Sequence, residues 1–373
     1  MSAARGFDIN QLAWGYLSTP IAVSFADSYL RFHRGIDLRP LRAEHPSSPL
    51  VAHAGHGWAT LTEHLRRDGV EDEELLAMDL ARTTRGGRLV DSMRDRLIIP
   101  VSDQDGRICG FIGRDLSEDP RAPKYLNPTR TATFDKGTVV HRPTHHHLSE
   151  AANVVVVEGA LDALAIAAVA AQAGRSADFA PCTTSGVAVT ATQAARVVEL
   201  AGDRPPIIAL DGDEAGAEGT MRWLTRIATE RRTPALLTRL PSSFDPADWI
   251  REHGVGGLSA FDQSRGRTHP SAVRVAAPGR ELARILVAKG GDQVDRSVDV
   301  LVTLAAALPQ RWAAELLDQA EREMTRQGWN PNGQFTRALS QALGPSVLGA
   351  RDRHNAPQPL LEPRTQIGAL PQL

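Results

Sequence analysis

Three short acidic clusters each follow a stretch rich in Val, Ile, Leu or Ala, which is where a buried strand would end. The clusters are Glu158 with Asp162, Asp211 with Asp213, and Asp245 with Asp248. Carboxylates that converge on one edge repel each other, and a fold tolerates this repulsion when a cation bridges them. Mg²⁺ binds through a few carboxylates and substrate phosphates, so the pattern favours a hard divalent ion. Two such ions about 4 Å apart can stabilise both the attacking and the leaving oxygen in phosphoryl transfer.

Each of these acidic residues, taken alone, is explained equally well as a solvated turn residue or a helix N-cap. The argument for a metal site therefore depends on all three clusters ending at the same edge of one sheet.

A basic segment precedes the acidic one. Residues 82–142 contain twelve Arg or Lys and eight Asp or Glu, a net charge of +4, whereas residues 151–260 contain nine and thirteen, a net charge of −4. Arg can hold a phosphate through two parallel hydrogen bonds, Lys supplies a point charge, Tyr can stack on a base, and Asn can bond a sugar or base edge. The candidate nucleotide- or nucleic-acid-binding residues are Arg94, Arg96, Arg114, Lys124, Tyr125, Asn127 and Lys136.

The acidic clusters lie in a region where predicted strands and helices alternate. The predicted strands are 154–157, 180–184, 206–210 and 235–240, and the predicted helices are 161–173, one starting near Thr190, 216–231 and 246–253. Strict alternation predicts an α/β fold with a doubly wound parallel sheet. Ligands of such sheets bind beyond the carboxyl ends of the strands, which is where the acidic residues fall.

The rest of the chain divides around this sheet. We predict a helical N-terminal subdomain over 1–80, a basic α+β module over 81–148 with a hairpin turn at Asp103-Gln-Asp-Gly106, the parallel-sheet domain over 149–265, a helical region over 266–345 and a flexible tail over 346–373.

These motifs resemble a known family. Glu158-Gly159 with Asp162, Asp211-Gly-Asp213 with Gly216, and Asp245-Pro246 resemble the toprim domain of DnaG-type primases, topoisomerases and some nucleases. Arg94-Asp-Arg96, Gly113-Arg114, Pro123-Lys124-Tyr125-Leu-Asn127 and Phe134-Asp-Lys136 resemble the basic motif of DnaG-type primases, so the resemblance runs from about residue 56 to residue 256.

The resemblance implies a role for each acidic residue. Glu158 would act as general acid or base and metal ligand, Asp211 and Asp213 would be the principal metal ligands, and Asp162, Asp245 and Asp248 are further candidate metal ligands. Relatives often read Asp-Pro-Asp at the third cluster, but Ala247 stands at the second acidic position here. Asp248 is the candidate substitute.

The implied activity is a toprim-type, DNA-directed primase that makes short primers on single-stranded DNA. The implied cofactors are two Mg²⁺ or Mn²⁺ ions, and the implied partners are the single-stranded template, nucleoside triphosphates and a replicative helicase or mobile-element replication protein. No cysteine precedes Cys109, so we expect neither the N-terminal zinc module of such primases nor a bound zinc ion.

Three alternatives stay open. A toprim nuclease would use the same carboxylates to hydrolyse nucleic acid, and a non-catalytic adaptor would bind DNA or a helicase through residues 270–345. A topoisomerase needs a nucleophilic tyrosine, and the three tyrosines, Tyr16, Tyr29 and Tyr125, all precede the acidic clusters.

The remaining sequence features exclude other classes. No long apolar run or signal-peptide pattern is present, which predicts a cytoplasmic protein without a membrane segment. The two cysteines, Cys109 and Cys182, are too few for a disulfide framework. His141 and His145-His-His147 lack partners at metal-ligand spacing, and we interpret them as a solvated linker.

Overall fold

The computed structural model describes residues 1–264 apart from 47, 118, 185, 187 and 233, together with 275–276, 279–280, 282–284 and 294–341. The predicted tail and much of the segment 265–293 lie outside the described residues.

The N-terminal region is mainly helical, as predicted. Its helices are α1 (Ala3–Leu17), α2 (Pro20–Tyr29), α3 (Arg39–Glu44), α4 (Thr60–Arg67) and α5 (Asp72–Ala77). The side chain of Ser2 caps α1, and Thr19 followed by Pro20 starts α2. These are the residue types that satisfy or dispense with the free N–H groups of a first helical turn.

The basic module is built on an antiparallel sheet. Its strands are β1 (Ala52–Ala54), β2 (Ala81–Thr83), β3 (Leu89–Asp91), β4 (Arg96–Ser102), β5 (Ile108–Asp115) and β6 (Tyr125–Leu126). β2 pairs with β3, and the others form a sheet in the order β1-β4-β5-β6. The predicted hairpin turn joins β4 to β5, with Gly106 at a φ of 77° that favours glycine.

β1 was not predicted. It pairs with β4 from within the region 1–80, so this region is not a purely helical unit. The strand has only three residues, Ala-His-Ala, and none of them is β-branched.

The parallel sheet forms as predicted, and the chain has the predicted α/β fold. Its elements are β7 (Asn153–Val157), α6 (Ala160–Gln172), β8 (Phe179–Thr183), α7 (Ala191–Ala201), β9 (Ile207–Ile208), α8 (Glu214–Arg231), β10 (Leu236–Thr238) and α9 (Pro246–His253). A short antiparallel edge strand, β11 (Val275–Ala276), completes the order β11-β10-β9-β7-β8.

The helices that follow the sheet domain include α10 (Val294–Ala307) and α11 (Gln310–Arg326), which lie within the predicted helical region 266–345. Leu301 of α10 and Leu317 of α11 share a core with Trp223 of α8. Alternate residues of β7 serve the two faces of the sheet, because Val154 and Val156 belong to this core whereas Val155 and Val157 pack against α6 on the other face. Among the described helices, none is long and apolar enough to cross a membrane.

Candidate active site

The first and second acidic clusters meet where the direction of strand addition reverses. β7 is flanked by β8 on one side and β9 on the other, so the crevice between β7 and β9 is the topological switch point of the sheet. Glu158 directly follows β7, and Asp211 follows β9 by three residues. Doubly wound sheets bind their ligands at this place.

Two glycines shape the loop that carries Asp211 and Asp213. A β-carbon at Gly212 would collide with the carbonyl oxygen of Pro241, and one at Gly216 would collide with the carbonyl oxygen of Asp211. Asp213 ends the loop as the N-cap of α8, where its Oδ1 accepts a hydrogen bond from the Gly216 N–H at 2.8 Å. The Asp-Gly-Asp spacing is therefore required by a tight strand-to-helix connection as well as by charge.

Asp211 is the acidic residue most affected by the negative charges of its neighbours. Burial, followed by the negative charges of Glu158, Asp245 and Asp213, raises the pKa of Asp211 to about 7. Burial and Asp213 also raise the pKa of Glu158. The Oδ1 atom of Asp211 is buried and has no hydrogen-bond partner among the described residues. An uncompensated carboxylate oxygen among like charges is the environment that a cation would relieve.

The third cluster is only partly at this site. Asp245 is the N-cap of α9, where its Oδ1 accepts from the Asp248 N–H at 2.6 Å, and its charge reaches Asp211. The carboxylate of Asp248 instead forms an ion pair with Arg251 at 2.6 Å, one turn along α9.

Asp162 lies beneath the cluster and is buried. Its Oδ2 accepts from the Gly159 N–H at 3.0 Å and its Oδ1 from the Ala247 N–H at 3.1 Å, so it links the starts of α6 and α9. Burial, with the charges of Asp245 and Asp211, raises the pKa of Asp162 well above its usual range. Both of its oxygens are thus occupied by backbone groups.

As they stand, no three or more His, Cys, Asp or Glu side chains of the described residues converge closely enough to hold a metal ion. Asp211, Asp213, Glu158 and Asp245 influence one another electrostatically, but a metal would have to draw their oxygens together.

The basic module faces this acidic cluster. Lys124 is exposed beside β6, and its charge lowers the pKa of Asp211, against the larger effects that raise it. Arg114 donates a hydrogen bond to the Tyr125 hydroxyl at 2.6 Å, and the charge of Asp162 reaches that same tyrosine. The pair of strands β5 and β6 therefore presents cationic groups toward the ends of β7 and β9.

The two arginines at the start of β4 have different environments. Arg96 is buried, donates to the carbonyl oxygens of Gly113 and Pro123, and forms an ion pair with Asp115 at 3.6 Å. The guanidinium of Arg94 lies 3.6 Å from the centre of the Trp58 ring.

Trp58 was not among the residues predicted from sequence, although it is 57% exposed. A large aromatic ring that stays in solvent beside an arginine is suited to base stacking. No sequence pattern pointed to it, because Trp58 lies more than thirty residues before Arg94.

The last two predicted residues are exposed. Asn127 follows β6, and Lys136 lies beside the turn after β8, with its Nζ 3.6 Å from the position a β-carbon of Gly186 would take. Ser185 of this Thr184-Ser-Gly186 motif lies outside the described residues.

Only part of the histidine segment is solvated, since His145 and His147 are exposed whereas His141 is buried. His141 is 2% exposed and exchanges two backbone hydrogen bonds with Thr183 of β8, at 2.8 and 2.9 Å. The Thr183 hydroxyl in turn donates to the carbonyl oxygen of Glu158 at 2.6 Å. His141 therefore pairs with the parallel sheet, and the interpretation from sequence was wrong for this residue because a backbone pairing leaves no side-chain pattern.

Two family models match this chain, one over the region of the antiparallel sheet and the other over the region of the parallel sheet. A model of the N-terminal domain of the DNA primase catalytic core matches residues 25–146, and a Toprim-like model matches residues 155–250.

Curated relatives carry the same description. A DNA primase of Deinococcus radiodurans is 34% identical over 253 residues, which are 63% of this chain and 42% of that protein. A DNA primase of Streptomyces coelicolor is 32% identical over 229 residues, which are 60% of this chain and 34% of that protein. The chain thus spans less than half the length of these relatives.

Solved structures show the same fold. The RNA polymerase domain of Mycobacterium tuberculosis primase DnaG superimposes with a TM-score of 0.62 at 23% identity, covering 80% of this chain and 93% of that one. A DnaG primase catalytic domain bound to single-stranded DNA superimposes with a TM-score of 0.61 at 23% identity, covering 87% of this chain and 97% of that one.

Proposed function

Because the chain belongs to the DnaG-type primase family, with family matches over residues 25–146 and 155–250, we propose that it is a toprim-type, DNA-directed primase. It would join nucleotides into short primers on single-stranded DNA. The observation that carries this proposal is the meeting of Glu158, which directly follows β7, and Asp211, which follows β9, at the topological switch point of the sheet. A cation-lined strand pair opposite a carboxylate cluster suits a triphosphate held between them.

The acidic residues fit a site for two Mg²⁺ or Mn²⁺ ions. Asp211 would be the central ligand because its Oδ1 has no partner among the described residues, and Glu158, Asp213 and Asp245 surround it. When bound, such ions neutralise the phosphates and stabilise the attacking and leaving oxygens. Asp162 would act by fixing the starts of α6 and α9, and Asp248 would stay outside the site.

Glu158 is the candidate proton acceptor. Its pKa is raised by burial and by Asp213, and its backbone is held by the Thr183 hydroxyl. A carboxylate of raised pKa in a fixed position can take the proton from a primer 3′-hydroxyl as the oxygen attacks the α-phosphate.

The basic residues would bind and orient the substrates. Lys124 and Lys136 are exposed and would neutralise phosphates, and Arg114 would position Tyr125 through their hydrogen bond. The Trp58 ring with Arg94 would stack on bases of the single-stranded template, and the exposed Asn127 would contact a sugar or base edge. We assign Arg96 to the structure of the sheet, since its guanidinium is buried against backbone carbonyls.

Synthesis from unprimed single-stranded DNA tests this proposal. With labelled nucleoside triphosphates and Mg²⁺ or Mn²⁺, we expect short products that lengthen with time and release pyrophosphate. Shortening of the template without extended product would establish a nuclease instead. Neither activity, with DNA binding retained, would establish an adaptor.

The same proposal places the chain in the cytoplasm, where template and nucleotides are found. A replicative helicase or a mobile-element replication protein is the proposed macromolecular partner, and its addition should stimulate primer synthesis.

A further inference from the structure

Gln193, in the first turn of α7, is bonded to the backbone of the segment that carries Lys136. Its amide Nε2 donates to the carbonyl oxygen of Lys136 at 2.8 Å and to that of Val139 at 3.1 Å. Its Oε1 accepts from the Thr190 N–H at 3.0 Å. The side chain is 2% exposed, so a buried amide uses both of its ends to join α7 to this segment.

Two neighbours of this amide bind the same segment. The Thr190 hydroxyl donates to the carbonyl oxygen of Gly137 at 2.6 Å, and the guanidinium of Arg196 donates to that of Thr138. Each carbonyl oxygen of the segment 136–139 therefore accepts a hydrogen bond from α7 or from its N-cap. A turn segment has no strand ladder to satisfy these acceptors, so the side chains of α7 take that role.

The bonds fix Lys136 to the parallel sheet, although by sequence it belongs to the basic module. Its Nζ lies 3.6 Å from the position a β-carbon of Gly186 would take, in the turn after β8. His141 continues the attachment through its two backbone hydrogen bonds with Thr183 of β8. Lys124 instead lies beside β6 of the antiparallel sheet. The two candidate phosphate-binding lysines are thus held by different sheets.

The backbone position of a lysine decides how much it contributes to phosphate binding, because the charge sits at the end of a flexible stem. A segment that became ordered only with the ligand would bind more weakly, since the lost conformational entropy opposes binding. The hydrogen bonds from α7 order this segment in advance.

We propose that Gln193 and Thr190 are positioning residues, which hold Lys136 at the carboxyl end of β8 to bind a phosphate group of the template or of a nucleotide. Both ligands share this chemistry. The inference rests on the proposed phosphate-binding role of Lys136, and it assigns α7 a part in substrate binding beyond the packing of the sheet.

Binding measurements on the full chain test the proposal. Fluorescence anisotropy with labelled single-stranded DNA and calorimetric titration with ATP and Mg²⁺ distinguish the two sources of the phosphate. We expect Thr190→Ala and Gln193→Leu each to weaken binding of at least one ligand about fivefold or more, as for residues coupled in one network. Thr190→Ser keeps the hydroxyl and should bind like the unaltered chain. Thr190→Ala carries the test if Gln193→Leu does not fold, because Thr190 is only partly buried.

Thr19→Ala is the matched control for stability. Thr19 is the N-cap of α2, where its hydroxyl accepts from the Ala22 N–H at 3.4 Å, as the Thr190 hydroxyl accepts from the Gln193 N–H at 3.1 Å. Both Thr→Ala changes remove a cap and should lower the unfolding temperature. Only Thr190→Ala should weaken binding, and equal affinities of the two variants would mean that Thr190 does no more than stabilise its helix.

The same substitutions in a chain that carries Lys136→Ala show whether their effect passes through this lysine. If it does, Thr190→Ala and Gln193→Leu should there change the affinity by less than about twofold. An equal loss with and without Lys136 would overturn the proposal, and so would unchanged affinity of both variants for both ligands.

These measurements do not require primer synthesis. A chain that binds DNA but makes no primers would contradict the proposed function and leave this test intact. If Lys136→Ala alone left both affinities unchanged, the proposed role of that lysine would fail, and the positioning role of Gln193 and Thr190 with it.

Discussion

Asp211 is the residue on which the proposed chemistry depends most, because it combines burial, three neighbouring carboxylates and an oxygen without a partner among the described residues. We expect Asp211→Asn to reduce primer synthesis about 100-fold or more, since it removes a full charge but preserves shape. Glu158→Gln should behave similarly.

Asp248→Ala should have a much smaller effect, since this carboxylate pairs with Arg251 and not with the cluster. The test is the rate of primer synthesis by Asp211→Asn, Glu158→Gln and Asp248→Ala, measured with Mg²⁺ and with Mn²⁺. Equal reductions in all three would mean that α9 contributes a ligand that the structure does not place at the site.

The raised pKa of Asp211 also predicts how stability depends on pH in the absence of metal. The folded-state pKa is about 7, above the usual value of 3.8. Between these values the folded state retains a proton that the unfolded state releases, so stability falls as pH rises through this window and is constant above it. Asp211→Asn removes this penalty.

In EDTA we therefore expect Asp211→Asn to be more stable than the unaltered chain at pH 8, by about 1–2 kcal/mol after allowance for partial exposure. The advantage should vanish near pH 4. Denaturant unfolding at both pH values measures it, and Mg²⁺ at pH 8 should narrow the gap by stabilising only the unaltered chain. A difference that does not change with pH would contradict the shift.

Lys124 and Lys136 are predicted to bind phosphates of template or nucleotide. Replacing either with Ala should weaken binding of single-stranded DNA and reduce the slope of log affinity against log salt by about 0.7 for each phosphate that the variant no longer neutralises. Arg121→Ala is a suitable control, since its side chain is 89% exposed and pairs with Asp119. Fluorescence anisotropy across a salt series measures the DNA affinity of the three variants. If all three had the same affinity and salt dependence, Lys124 and Lys136 would be solvated surface residues that do not contact DNA.

At the scale of elements, the start of α8 sets the position of Asp211. Gly216→Ala would place a β-carbon against the Asp211 carbonyl oxygen, so the loop must move. We expect a clear decrease in both stability and primer synthesis.

Gly15→Ala is the matched control, because Gly15 also lies in a helix and a β-carbon there has no neighbour within 4 Å. This variant should be unchanged or more stable by up to about 1 kcal/mol, since alanine favours helix. Thermal unfolding and primer synthesis measure both variants, and similar behaviour of the two would show that the loop has room to adjust.

The elements of the parallel sheet could be predicted because each of their strands is apolar and each helix has a clear start, such as the capping box at Thr190. β1 and the pairing of His141 with Thr183 could not, because short backbone pairings are decided by distant partners. The same limit applies to the site. Acidic residues at strand ends are visible in the sequence, whereas the occupied oxygens of Asp162 and the buried guanidinium of Arg96 depend on backbone groups brought in by folding.

At the scale of the molecule, the predicted boundary at residue 80 does not separate two cores. Leu41 of α3 and Leu97 of β4 belong to the same cluster of buried residues as Leu164 of α6. The N-terminal helices thus support the helix that begins immediately after Glu158 and Gly159. This shared core fixes the basic module relative to the carboxylates. A fixed relative position is what the proposed substrate, held between the two, would require.

This shared core gives a prediction that separates one folding unit from two. Leu41 is fully buried and α3 packs on α6, so Leu41→Ala should destabilise the chain by about 2–5 kcal/mol. Leu76→Ala, at a leucine that is 43% exposed, should cost about 0.5 kcal/mol or less. Hydrogen exchange shows where the stability decreases: we expect faster exchange of the α6 amides in Leu41→Ala and unchanged exchange in Leu76→Ala. If residues 1–80 were instead an independent domain, Leu41→Ala would speed exchange only in the N-terminal helices and leave α6, and with it the backbone beside Glu158, as protected as before.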